Sequence, residues 1–281
     1  MSTARSPLSG EPRDRTPAPP DTPIGAARAV RIRPRAAVAL AVAGAVGVAA
    51  VGWPLLVGPG AVLGHTGDAP WIFAVLLPLV LAVVLAEVAE GGMDAKAVAM
   101  LGVLSALGAA IRPLGAGTAG IETVFFLLVL AGRVFGPGFG FVLGNTMLFA
   151  SALLTGGVGP WLPYQMLGAA WVSLGAGLLP RCRGRAELAL LAGYGVLAAL
   201  AYGVVLNLSF WPFALGSDSS LSYLPGAPLA DNLLRLAAFT LATSFGWDIG
   251  RAVTTAVLIL LTGPVFLRAL RRAARRAQFA P

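Results

Sequence analysis

The chain has 281 residues, 57% of them hydrophobic and only 11% charged, against roughly 25% charged in a typical soluble domain, so water is excluded as the solvent for most of it. The formal charge of +8 comes from basic residues at the two ends and in short breaks between apolar runs, a placement that excludes a basic nucleic-acid-binding face. The single cysteine, Cys182, excludes an intrachain disulfide and any cysteine-based metal cluster.

Residues 1–35 are rich in Pro, Arg, Ser and Thr and hold no apolar run, which predicts a disordered basic cytoplasmic tail. The apolar run that follows is longer than a secretory leader's core and reads as a membrane anchor. Crossing a hydrocarbon layer of ~30 Å takes ~20 apolar helical residues, because unpaired backbone groups are too costly in lipid for other open structures. Eight candidate segments follow, at 36–57, 70–88, 95–111, 121–135, 139–155, 163–180, 187–208 and 248–267. The fold class expected is all-α, a polytopic membrane helix bundle of about eight transmembrane helices. The segments at 95, 121 and 139 are short and rich in Gly and Ala, which suits close helix packing or re-entrant pieces.

With the N-terminus in the cytoplasm, eight spans also return the C-terminus there. Seven tail arginines from Arg5 to Arg35, Lys96, Arg133, Arg181, Arg183, Arg185 and five arginines from Arg268 to Arg276 then lie inside, 17 of the 20 basic residues. That agrees with the positive-inside rule and leaves Arg112, Arg235 and Arg251 at outer ends. Trp53, Trp71, Trp161, Trp211 and Trp247 fall at outer ends too, either as an interfacial aromatic belt or as a ring-stacking mouth for a flat ligand. The longest break, 209–247, contains Pro212, Pro225 and Pro228. Its last part, from Asp231 to Phe245, has helical spacing and an Asp231/Arg235 pair four residues apart, which predicts an outer-surface helix leading into the final span.

Small residues at Ala95, Ala99, Gly102, Ala106 and Ala110 share one face of the third segment, and Ala169, Ser173 and Gly177 share one face of the sixth. Either stripe admits a helix to backbone contact, within the bundle or from a separate subunit. Phe135-Gly-Pro-Gly-Phe-Gly140 lacks the Gly-Lys-Ser/Thr of a phosphate loop and reads as a tight interhelical turn. Polar groups near the spans are Glu87, Arg112, Glu122, Asn145, Gln165, Asn207, Asp248 and Arg251, and at membrane depth such groups are functional or paired. Asp248 and Arg251, three apart, can neutralise each other; Arg112 can pair with Glu122 or bind an anionic ligand group; Asn145 and Asn207 can bridge helices. Catalysis finds no support. His65 is the only histidine, the acidic residues are scattered singly, and neither Gly-x-Ser-x-Gly nor a nucleotide-binding loop is present. No catalytic residue, metal site or cofactor is expected, and any ATP-driven work falls to another chain.

The stretch from Asp94-Ala-Lys-Ala through Arg112-Pro-Leu-Gly-Ala-Gly-Thr-Ala-Gly120, then Phe125 to Gly140 and Gly156-Gly-Val-Gly-Pro-Trp-Leu-Pro163, resembles the substrate-binding S components of energy-coupling-factor (ECF) vitamin transporters. The ending Ser244-Phe-Gly-Trp-Asp-Ile-Gly-Arg-Ala252 with the basic stretch after Arg268 is similar to actinobacterial members, so that the resemblance covers approximately residues 90–276. It rests on the order and combination of these stretches. It implies a six-helix substrate-binding core at 91–270, from which the two extra N-terminal helices at 36–90 depart, with a basic cytoplasmic tail at 271–281. The partners implied are a transmembrane coupling subunit (T component), two cytoplasmic ATPases, membrane lipid and a vitamin-like small molecule such as cobalamin or riboflavin. The location implied is a bacterial plasma membrane. The resemblance places the coupling interface on Ala95, Ala99, Gly102 and Ala106, has outer loops 112–120, 156–163 and 208–247 line the pocket, and makes Arg112, Glu122, Trp161, Gln165, Asn207, Trp247 and Arg251 the candidate substrate contacts. The alternatives are a self-sufficient carrier in which Glu122 or Asp248 handles a proton or sodium ion, and a non-transporting membrane scaffold.

Overall fold

The computed structural model describes residues 34–56, 75, 77–82, 84, 93, 95–115, 118–214 and 219–278. Among them the regular secondary structure is all helical, with no strand. The helices are α1 (Pro34–Leu56), α2 (Ala95–Ile111), α3 (Phe125–Phe135), α4 (Pro137–Thr155), α5 (Leu162–Leu178), α6 (Gly184–Ala214), α7 (Leu229–Thr243) and α8 (Phe245–Gln278), with helical residues also between 75 and 84. Among the described residues, four stretches are long and apolar enough to cross a membrane: Ala95–Leu114, Pro137–Thr155, Gly184–Ala214 and Phe245–Arg276. The predicted tail through residue 33, most of the second segment, and His65, Trp71 and Glu87 lie outside the described residues.

The core is organised around α3. Ten of its eleven residues are buried, the exception being Arg133, and α4, α5, α6 and α8 all pack on it. At 1.5 Å per residue it is only about 16 Å long, and it begins four residues later than the segment predicted at 121–135. The cause is local. Ala119 and Gly120 take positive φ, the Ile121 amide donates to Thr118 at 2.8 Å, and the Thr123 hydroxyl donates to the Ile111 carbonyl at 2.7 Å, so this stretch turns back on α2 before any helix starts. Irregular backbone at such a depth is tolerable only where protein or a cavity surrounds it.

The predicted tight turn is present at Gly136, the one residue between α3 and α4. Its φ of 99° and ψ of 171° are open essentially to glycine alone, and Pro137 then starts α4 with φ already set. The two small-residue stripes separate sharply. Ala169, Ser173 and Gly177 on α5 are buried: the Ser173 carbonyl lies against both Gly132 and Gly140, and the Ser173 hydroxyl donates to the Leu128 carbonyl at 2.8 Å. That stripe is internal packing. Among the described residues, Ala95, Ala99, Gly102, Ala106 and Ala110 on α2 all face outward, and none lies within 4 Å of where a Gly102 side chain would begin. The opposite face of α2 packs on α4 through Leu104, a Ser105–Thr146 hydroxyl bond of 2.8 Å and Gly108 against Met147.

α6 runs past the predicted limit of 208, through Pro212, to Ala214. A proline in the last turn removes few helical hydrogen bonds, and the neighbouring Trp211 anchors the segment: fully buried, it donates to the Leu221 carbonyl at 2.6 Å and packs edge-on against Tyr223. Trp211 is therefore not part of an interfacial belt. Trp53 packs against Phe213 and Tyr223 in the same cluster, whereas Trp161 and Trp247 are about half exposed, at 51% and 45%. The predicted surface helix is α7, joined to α8 by the single non-helical residue Ser244. Arg235 does not bridge Asp231 there but donates to the carbonyls of Ser219, Ser220 and Ser222, tying the preceding loop to the helix.

Two ion clusters mark opposite ends of the bundle. At one, Glu187 on α6 accepts from Arg133 of α3 at 2.8 Å and from Arg271 of α8 at 2.6 Å, while Arg133 also donates to the Leu179 carbonyl at 2.9 Å. At the other, Asn207 of α6 and Arg251 of α8 belong to a second polar group. Glu187 to Asn207 and Arg251 to Arg271 are each 20 residues of continuous helix, about 30 Å, the thickness of a bilayer's hydrocarbon core.

Candidate ligand-binding site

The second polar group is assembled by the end of α2, the irregular stretch after it, and the start of α8. A 3-10 turn, Arg112–Leu114, ends α2 at Pro113. The chain then passes so close to α8 that a side chain at Gly120 would start 2.1 Å from the Trp247 carbonyl, and one at Gly250 would start 1.9 Å from the Ala119 carbonyl. Glycine at both positions brings Glu122 onto Arg251. The Arg251 Nε donates to Glu122, its Nη1 donates to Asp248 at 2.7 Å, and its guanidinium carbon sits 5.6 Å from the Phe125 ring centre and 5.0 Å from that of Tyr202. Asp248 is buried against Gly203, where any side chain would start 2.1 Å from the carboxylate. Its other oxygen accepts from Ser244 at 2.9 Å, and Ser244 accepts from Asn207 at 2.6 Å.

The predicted Asp248/Arg251 pair is present. The Arg112–Glu122 pair is not: Glu122 reaches Arg251 instead, and among the described residues no carboxylate pairs with Arg112. Arg112 donates to the neutral acceptors Ser151 at 3.4 Å and Gln165 at 3.3 Å, and its Nε is buried with no partner. Asn207 bridges α6 to Thr240 and Ser244, as expected of a polar residue in a span. Asn145 does not bridge helices; its amide donates to Phe141 one turn back on α4.

Two cavities open on these groups. The first, about 310 Å³, is lined by Arg112, Pro113, Gly120, Ile121, Glu122, Ser151, Thr155, Trp247 and Arg251. The second, about 390 Å³, is mainly apolar and lies between the start of α5 and the end of α6, against Pro160, Trp161, Tyr164, Asn207, Phe210 and Phe213. Four of the seven candidate contacts (Arg112, Glu122, Trp247 and Arg251) thus share one cavity, Gln165 joins it through its bond to Arg112, and Trp161 and Asn207 face the other. Sequence reasoning missed Ser151 and Thr155. Their signal was a hydroxyl pair four residues apart in the last turns of a largely apolar helix. It also missed Tyr164, whose hydroxyl is buried without a partner, and Ser244, the link between Asn207 and Asp248.

The fold and site together define, among the described residues, an all-helical bundle with four helices long and apolar enough to cross a membrane and a charged cavity at one end. No protein-family model, curated protein or solved structure matches it.

Proposed function

We propose that this chain is the substrate-binding membrane subunit of an ECF-type importer, an S component that captures a small water-soluble vitamin or related micronutrient. The observation that carries the reading is the first cavity. It gathers Arg112, Glu122, Trp247 and Arg251 at the end of the bundle opposite Arg133, Arg271 and the basic stretch of α8. A pocket of that composition, with a few convergent polar groups in an apolar surround, is suited to a small polar ligand. In this reading eight spans cross a bacterial plasma membrane with both termini in the cytoplasm, and the cavity opens outward. Both volumes lie near the lower end of the roughly 300–1,000 Å³ usual for ligand sites, which favours a compact vitamin over a corrinoid.

The outward α2 face at Ala95, Ala99, Gly102 and Ala106 supports docking of the coupling subunit, since small side chains admit a partner helix to backbone contact. Two cytoplasmic ATPases would then supply the energy. A self-sufficient ion-coupled carrier is less well supported, because Glu122 and Asp248 are both bound to Arg251 and would have to break that contact to take up an ion. The test is thermal unfolding of the purified chain across a panel of water-soluble vitamins, because a ligand that binds only the folded state raises the melting temperature. A rise with one vitamin that is lost in Trp247→Ala supports the assignment; no rise with any of them, in folded protein, overturns it.

A further inference from the structure

Resting on that reading, we infer that the substrate carries a single carboxylate, and that Arg112 and Ser151 are the groups that hold it. The charges in the first cavity are unevenly distributed. Arg251 is shared by two carboxylates, Glu122 and Asp248, so its positive charge is fully answered. Arg112 lines the same cavity with no carboxylate on it among the described residues. Its two contacts, 3.3 Å and 3.4 Å to neutral oxygens, lie beyond the ~2.7–2.9 Å of a guanidinium–carboxylate bond, and its Nε has no acceptor. A guanidinium has five N–H donors and accepts nothing, so what this group lacks is an anionic acceptor.

Ser151 completes the arrangement. It is fully buried, its Oγ accepts from Arg112, and among the described residues its own hydroxyl hydrogen goes to no acceptor. That leaves one O–H donor beside the unanswered cation on the cavity wall, the pairing that two carboxylate oxygens can use together. Glu122 limits the charge. Its carboxylate lines the same small space, so a dianionic phosphate would meet about twice the repulsion that a monoanion does. Burial of an unpaired cation is costly, and a carboxylate ligand removes that cost on binding, so the contribution to affinity is greater than that of an exposed ion pair.

The experiment uses the full purified chain in detergent and three matched pairs of probes: nicotinate and nicotinamide, biotin and biotin amide, pantothenate and panthenol. The expected result is that the acid of at least one pair raises the melting temperature and that its neutral partner binds at least tenfold more weakly. Arg112→Gln should lose at least tenfold in affinity for that acid. Without ligand it should melt close to the parent, because it breaks no ion pair. If Arg112→Gln does not fold, Ser151→Ala gives the second readout, a several-fold loss for the acid with no loss for its neutral partner. The inference is overturned if no acid binds, if neutral and acid members bind alike, or if acid binding survives in Arg112→Gln. A neutral or cationic vitamin that binds in the wider panel, with no acid doing so, removes the carboxylate and leaves the binding-subunit reading standing. Absence of binding by every compound removes both.

Discussion

Replacing Glu187 by Gln removes the one carboxylate between two arginines at the basic end of the bundle. Its side chain is 3% exposed, that of Arg133 is 9% exposed and that of Arg271 is 40% exposed, so the three partners should not suffer equally. In Glu187→Gln, Arg133 is left as a buried cation with no carboxylate, holding only neutral acceptors such as the carbonyls of Leu179 and Cys182, a change of the kind that costs roughly 3–5 kcal/mol. Arg133→Gln leaves Glu187 still paired with Arg271 and forfeits one charge-assisted bond, about 1.5–3 kcal/mol. Arg271→Gln removes a half-exposed partner and should cost less than about 1 kcal/mol after solvent screening. The order, Glu187→Gln worst and Arg271→Gln mildest, is measurable by equilibrium unfolding of the detergent-solubilised variants in an SDS titration. An Arg271→Gln variant as damaged as Glu187→Gln would refute the argument, since it would put the energy in the exposed pair.

At the opposite end, Arg251→Gln strands two carboxylates and is expected to cost roughly 3–5 kcal/mol, with more than half recovered when Glu122→Gln and Asp248→Asn are added; the same titration reads both. Gly132→Ala places a carbon 1.9 Å from the Ser173 carbonyl and should cost about 3 kcal/mol, whereas Gly102→Ala meets open space and should be neutral or gain up to about 1 kcal/mol from helix propensity. Trp211→Ala should cost roughly 3–5 kcal/mol and hasten limited proteolysis between α6 and α7, because Trp211 holds Leu221 and Tyr223 against the helix.

Helices were legible in the sequence wherever a long apolar run made one solvent regime unavoidable. α2 begins and ends where its apolar run does, and α4, α5 and α6 start within a few residues of their predicted limits. The errors share a cause. The late start of α3 depends on hydrogen bonds from 118–123 back to α2 and on contact with α8, more than a hundred residues away, which no local periodicity records. α6 passes its predicted end because an aromatic cluster from three parts of the chain outweighs the turn signal of Pro212. At the site, the Asp248–Arg251 pair was readable because both residues are on one helix, three apart. Glu122 joins it across 129 positions, and its choice of Arg251 over Arg112 is a property of tertiary packing alone. The two small-residue stripes are alike in sequence, and only their neighbours separate them: Ser173 meets the backbone of α3 and α4, and Gly102 meets nothing.

The shortness of α3 bears on leakage. Its neighbours α6 and α8 each need about 30 Å between the two ion clusters, while α3 supplies about 16 Å of continuous apolar packing, the remainder being the irregular stretch 118–124 and the first cavity. In the proposed membrane setting, protons and small ions that enter the cavity would face an apolar layer little more than half as thick as a bilayer's ~30 Å core. That layer is α3, with its rings and branched chains from Phe125 to Phe135, together with the α4, α5, α6 and α8 residues packed around it. Phe126, stacked edge-on against Phe266 of α8, and Phe135, against Phe139 of α4, fasten the two ends of α3 to its neighbours.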